Sequence, residues 1–196
     1  MSMLSRFRVT AARLALVAWA IAMLVLGAGL LVRHAVALPA PVAGRALSAS
    51  LSAMRPPNAQ HRWLVIHTLY AECRCSQRIV DHLIASTRPA GWRELVLWVG
   101  DKEPSPQLTA RFDVKRWSNE DLARVGIEAA PSFAVLDPSN HLLYAGGYTD
   151  RKQGPNIDDL RIFEELEQSR TVAPHPVFGC AVSARLRQAL AVLPSP

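Results

Sequence analysis

The sequence predicts an α/β protein: a mixed sheet of four to five strands flanked by helices, behind a single N-terminal transmembrane helix. Three observations predict it. From residue 63 onward, apolar runs of strand length alternate with segments of helical spacing, the pattern of β-α-β units. Two later strand-like runs are separated only by Asp137-Pro138-Ser139-Asn140, a link too short for anything but an antiparallel hairpin. Residues 14–32 carry no charge at all.

That uncharged run, LALVAWAIAMLVLGAGLLV, is 19 residues long. At about 1.5 Å per residue it spans about 28 Å, close to the roughly 30 Å hydrocarbon core of a bilayer. Arg6, Arg8 and Arg13 precede it, and the first acidic residue is Glu72. The positive-inside rule therefore expects a cytoplasmic basic tail over 1–13, an anchor over 14–32 and an extracytoplasmic remainder at the cell membrane. Ala35-Val36-Ala37 resembles a signal-peptide cleavage site, the alternative, although such apolar regions usually run only about 7–15 residues. Either way the rest of the chain is expected to be exported.

The net charge of +6 does not point to nucleic acid. Seven of the 22 Lys and Arg residues lie before residue 72, where there are no acids. The other 15 face 16 acidic residues downstream, so no basic stripe remains to follow phosphates.

Residues 33–62 read as a linker, with Pro39, Pro41, Pro56 and Pro57 among Ala and Ser. Leu47, Leu51 and Met54 have helical spacing, but that apolar face is thin. A domain over 63–170 follows. Residues 63–70 are a buried strand, 76–86 a helix with Ile79, Val80, Leu83 and Ile84 on one face, and 94–99 a second strand parallel to the first. After Pro104 and Pro106, Ser118-Asn119-Glu120-Asp121 resembles a capping box that opens a short helix, and Gly126 can end it. Strands over 132–136 and 141–145 make the hairpin, and Asn156 is placed to cap a helix over 157–167. Asp158-Asp159 and Glu164-Glu165 then read as that helix's solvated face. The C-terminal extension 171–196 holds Cys180 and a short helix over 181–192.

Cys73-Arg74-Cys75-Ser76 lies between the first strand and the first helix of this domain. Unpaired N–H groups and the helix dipole at such a place favour a thiolate, the form that attacks disulfides and binds soft metals. The third and last cysteine is Cys180, after Gly179, which permits a close backbone approach. An odd count implies a free thiol, an intermolecular partner or a metal-held set. No Gly-rich phosphate loop, Ser-His-Asp order or HExxH motif is present.

The element order and the stretch from Val125 to Asp137, with Ala130-Pro131 inside it, resemble thioredoxin-like proteins at their cis-proline segment. His141 to Gly147 resembles the hairpin return of membrane-anchored TlpA/ResA-like thioredoxins. The Cys-x-Cys-Ser motif, Tyr144-Ala145-Gly146-Gly147 and Pro176-Val177-Phe178-Gly179-Cys180 resemble, more narrowly, a bacterial RedB-like set. The resemblance implies a thioredoxin-like fold, a cis Pro131, and a substrate-contact platform made of Ala130 and Pro131. The motif departs from the family, which carries Cys-x-x-Cys after a Trp; here it is Cys-x-Cys, and Tyr70 is the nearest aromatic.

The expected activity is thiol–disulfide exchange with exported protein thiols or disulfides, with Cys73, Cys75 and Cys180 catalytic and no cofactor. A Cys73–Cys75 ring would be strained, hence oxidising and transient, and Cys180 offers a way to resolve a mixed disulfide. Cys73 is expected to be the nucleophile, because the first cysteine is the more exposed one in related folds. The rival from another class is a soft-metal module holding copper or zinc on Cys73, Cys75, Cys180 and His67, with His175 as another candidate. A third is a non-catalytic thioredoxin-fold binding protein.

Overall fold

The computed structural model describes residues 3–35, 37–152 and 154–192. The chain forms two units. The first is helix α1 (Met3–Ala35), and its Ala12–Gly29 portion is long and apolar enough to cross a membrane. Leu14, Trp19 and Leu24 on it are exposed.

The second unit is the body Ala37–Val192, built on a five-stranded sheet whose strands lie in the order β3 (Asp113–Arg116), β2 (Trp92–Val99), β1 (Trp63–Tyr70), β5 (Ser132–Leu136) and β6 (Leu142–Gly146). Strands β1 (Trp63–Tyr70) and β2 (Trp92–Val99) are parallel, in register from Trp63 opposite Trp92 to Tyr70 opposite Val99. Helix α3 (Arg74–Ala85) connects them. Strands β5 (Ser132–Leu136) and β6 (Leu142–Gly146) form the hairpin, antiparallel as its short link requires, and β5 runs antiparallel to β1. Asn140 takes a left-handed turn position (φ 66°), a conformation asparagine tolerates.

Both faces of the sheet are covered, which is why β1 and β2 are almost continuously apolar. Val65 and Leu69 face α3 and α6 (Asp159–Glu167), packing with Leu83, Phe133, Tyr144 and Phe163. Leu64 and Ile66 face the other way, against Leu47, Leu51, Leu122 and Leu136.

Three parts differ from the expectation. Residues 37–62 are not a spacer. Helix α2 (Arg45–Ser52) lays Leu47 and Leu51 on the sheet, where they are 1% and 0% exposed. Arg55 then clamps this segment to the hairpin turn, donating to Asn140 Oδ1 at 2.7 Å and to the Asp137 carbonyl at 2.6 Å. A thin stripe suffices because its partner is a flat apolar sheet face.

The second difference lies after β2. Helix α4 (Pro106–Arg111), with Ser105 Oγ accepting the Leu108 N–H at its start, crosses over to a further parallel strand, β3 (Asp113–Arg116). This strand is a short, charged sheet edge, a composition that discourages pairing with another chain. Helix α5 (Asn119–Arg124) has the Ser118–Asp121 capping box, and Gly126 follows it at φ 84°.

The third is at the C-terminal side. Helix α6 begins at Asp159, and its acids are not all solvated. Asp159 is 0% exposed because His82 (2.8 Å) and Arg88 (2.8 Å) pair with it. Two-residue strands β4 (Ala129–Ala130) and β7 (Cys180–Ala181) pair antiparallel, and helix α7 (Ala184–Val192) starts only after Ser183. A bridge between Leu38 and Val177 ties the two ends of the body together.

Candidate functional site

Strand β1 ends where Cys73 begins α3. The Cys73 N–H donates to the Tyr70 carbonyl (3.0 Å), and Ser76 Oγ accepts the Tyr70 N–H (3.0 Å), so strand end and helix start are locked together. Cys73 is the N-cap residue of α3, with extended backbone (φ −97°, ψ 119°), and its side chain is only 2% exposed. The backbone N–H groups of Cys75 and Ser76, which lack helical partners at this end, point at its sulfur.

The peptide bond between Ala130 and Pro131 is cis, as the resemblance implies. The Ala130 carbonyl oxygen lies 3.9 Å from Cys73 Sγ. The β4–β7 pairing sets Cys180 directly opposite Ala130. Cys180 Sγ therefore lies 2.7 Å from Cys73 Sγ and donates its thiol hydrogen to it, although 107 positions separate the two residues. All three cysteines are free thiols.

The electrostatics of the trio are asymmetric. Thiol hydrogen bonds from Cys180 and then Cys75 draw the Cys73 pKa far below the usual range, with help from the Ser76 and Cys75 N–H groups and against the opposing effect of burial. Donating to that sulfur raises Cys75 and Cys180 well above the ordinary thiol value, and burial adds to both shifts. This arrangement favours the thiolate on Cys73 over the other two.

Two expectations about these sulfurs change. Cys73 is not the exposed one: the Ala130 peptide and Cys180 cover it, while Cys75 and Cys180 remain half-buried. Cys180 does not open a helix, because its backbone is committed to β7.

Ala130, expected to receive substrate, is fully buried, and its strand edge is filled by the chain's own residues 180–181. Pro131 lines a cleft of about 190 Å³ together with Cys75, Arg74, Arg78, Lys152 and Phe178. Tyr148, Thr149 and Ile79 complete the lining, which does not include the buried Cys73.

His67 belongs to a different constellation. It is 0% exposed, with Nδ1 2.7 Å from the Tyr148 hydroxyl and Nε2 2.8 Å from Glu94. Arg88 joins Glu94 (2.7 Å) to Asp159 and His82, so a chain of buried charges runs beneath the cleft-lining Tyr148. His175 is also partnered, at 3.1 Å from Asp158. Both ring nitrogens of His67 are engaged by protein groups, and among the described residues no group of three or more His, Cys, Asp or Glu is arranged to hold a metal ion. This network escaped the sequence reading; the one available signal was a histidine in the middle of an apolar strand.

The topology decides the fold: parallel strands around α3, an antiparallel hairpin beside them, and a cis proline facing the start of α3. The fold is thioredoxin-like. No family model and no curated protein match the chain. Among solved structures, a hypothetical protein from Sinorhizobium meliloti superposes with a TM-score of 0.51 at 18% identity, covering 63% of this chain and 80% of its own. An uncharacterized conserved protein from Geobacillus kaustophilus also gives 0.51, at 16% identity, covering 76% of this chain and 90% of that one. A candidate thioredoxin from Neisseria meningitidis gives 0.41 at 10% identity, over 57% and 77%. At such identities the likeness to the first two is one of fold.

Proposed function

We propose that this chain is a membrane-anchored, extracytoplasmic thiol–disulfide oxidoreductase whose redox pair is Cys73 and Cys180, with Cys75 as the sulfur that meets substrate. One observation carries the proposal: a register that brings Cys180 Sγ to 2.7 Å from the Cys73 thiolate. The resemblance to TlpA/ResA-like and RedB-like proteins supports it. The arginines ahead of an uncharged 14–32 support the anchor and its orientation.

Written in the reducing direction, Cys75 attacks a substrate disulfide in the cleft. Its proton passes to the departing substrate sulfur, so that a mixed disulfide forms on Cys75 and the first substrate thiol leaves. Cys73, a thiolate throughout, then attacks Cys75 Sγ and expels the second substrate thiolate. The resulting Cys73–Cys75 ring is strained and short-lived. Cys180 gives its proton to the second substrate thiolate and attacks Cys73, which frees Cys75 as a thiolate. Two electrons have reached the substrate, and a Cys73–Cys180 disulfide remains. The reverse sequence oxidises a substrate dithiol.

The test is peptide mapping of oxidised protein. A Cys73–Cys180 crosslink with Cys75 free is expected, and Cys180→Ser should trap partner molecules on Cys75. Three free thiols after equilibration with a small disulfide would sink the proposal, as would a bound metal that Cys180→Ser releases. Reporter fusions after residue 192 test the orientation: only an extracytoplasm-active reporter should work.

A further inference from the structure

The β4 edge is filled by β7, and Cys75 is the cysteine that lines the cleft beside Pro131. Three cations line that cleft, Arg74, Arg78 and Lys152, and no acidic residue does. Asp150, on the same loop as Lys152, does not line it. Arg78 is fixed in place by donating to the Gly154 and Pro155 carbonyls at 2.6 and 3.1 Å, partners that hold it without neutralising it. Among the described residues none of the three forms an ion pair of the kind that Arg88, Arg93 and Arg116 make with Glu94, Asp113 and Glu103. Phe178 and Pro131 supply an apolar wall beside the thiol.

We propose that the cleft selects anionic substrates: a thiol or disulfide carrying a carboxylate within a few atoms of its sulfur. The carboxylate sits among Arg74, Arg78 and Lys152 while the substrate sulfur meets Cys75. This rests on the exchange chemistry proposed above and adds the substrate class. A cleft lined by one sign of charge concentrates ligands of the opposite sign and speeds their encounter. The same field discriminates against cationic disulfides. The carboxylate can belong to a small acidic thiol or to acidic residues flanking a protein cysteine, and both present the same group at the same distance.

The test uses the full chain, reduced and held in an uncharged detergent. Its oxidation is timed with three small disulfides of similar size: dithiodiglycolate (anionic), bis(2-hydroxyethyl) disulfide (neutral) and cystamine (cationic). Each reaction reads protein dithiol plus RSSR giving protein disulfide plus two RSH. Every rate is divided by that of a neutral model thiol with the same reagent, which removes intrinsic reactivity. The anionic probe should lead the cationic one by on the order of tenfold at low salt. The gap should close at about 1 M salt, where the Debye length is about 3 Å. Arg74→Glu combined with Lys152→Glu should invert the order. Because the readout is a ratio between probes, a general change in cysteine reactivity cancels.

A second arm compares disulfide-linked peptides with Asp or with Lys on both sides of the cysteine. Preference for the small anionic disulfide assigns the cleft to an acidic low-molecular-weight thiol. Preference confined to the Asp-flanked peptide assigns it to an acidic protein segment. Equal normalised rates in both arms, with a Cys73–Cys180 disulfide still formed, overturn the anionic preference and leave the exchange chemistry standing. No oxidation by any probe overturns both.

Discussion

Gly179 lies against the carbonyl of Ala130 so closely that a β-carbon added to it would stand 1.9 Å from that oxygen and 2.6 Å from Pro131 Cδ. The obstacles are backbone and a ring, neither of which can swing aside. The absent side chain is what lets β7 lie on β4 and carry Cys180 to Cys73. Gly179→Ala should therefore push β7 away, at a cost of about 1–3 kcal/mol for overpacking. Peptide mapping after oxidation should show the Cys73–Cys180 crosslink lost or much slowed. A wild-type rate of crosslinking in this variant would refute the role given to the close approach.

The low pKa of Cys73 has a direct optical consequence. In the reduced protein one thiolate, read by absorbance near 240 nm, should persist well below roughly pH 8.5, the ordinary thiol value. The folded-state pKa is depressed, so the thiolate's contribution to stability is complete above the unfolded value and fades as pH falls through the lower folded one. Reduced protein should accordingly lose this contribution progressively as pH falls from about 8.5 through neutrality into acid. Cys180→Ala deletes the largest cause of the shift and should move the titration upward. A wild-type titration centred between pH 8 and 9 would contradict the assignment of Cys73 as the thiolate.

The buried charges under the cleft make a separate prediction. Burial alone would raise Glu94, but hydrogen bonds from His67 and Arg88 outweigh it and hold the carboxyl below its usual value. Asp159 is likewise held down by His82 and Arg88 against burial. Both contributions are complete above the unfolded values of roughly 4.3 and 3.9, and are lost as pH falls through the lower folded ones. Arg88→Met leaves two buried carboxylates without their shared cation and should cost about 3–5 kcal/mol. Its acid-unfolding midpoint, followed by near-UV circular dichroism of Trp92 and Trp98, should move to higher pH. An unchanged midpoint would show that Arg88 does not stabilise them.

What could be read from the sequence follows from how local each signal is. The parallel β1–β2 pair, the hairpin and the Ser118 capping box rest on spacing within a few residues, and the structure has all three. Cys73 and Cys75 at a helix start were legible for the same reason. Strand β7 is two residues long and has no periodicity to detect, so the position of Cys180 depended on a pairing fixed by β4. Asp159 looked solvated because its partners come from positions 82 and 88. The crossover through α4 and β3 was hidden by Pro104 and Pro106, although Ser105-Pro106 is itself a helix-opening signal.

Helix α2 offers the remaining test, since its residues read as a spacer yet close one face of the sheet. Leu51 is 0% exposed and packs in the cluster of Leu64, Ile66, Leu95 and Leu136. Leu51→Ala removes three buried carbons and leaves a void that a sheet held on both sides cannot collapse to fill. The cost should be about 2–5 kcal/mol, seen as a lower urea midpoint with little change in slope. Val42→Ala, at a position 73% exposed, should leave the midpoint unchanged and serves as the control from the same stretch. The cysteines lie at the other end of β1 from Leu64, so the Leu51 variant should still form the Cys73–Cys180 crosslink under conditions where it is folded. Equal midpoints for the two variants would mean that 37–62 is a tether, and that the face beneath α2 is covered by something else.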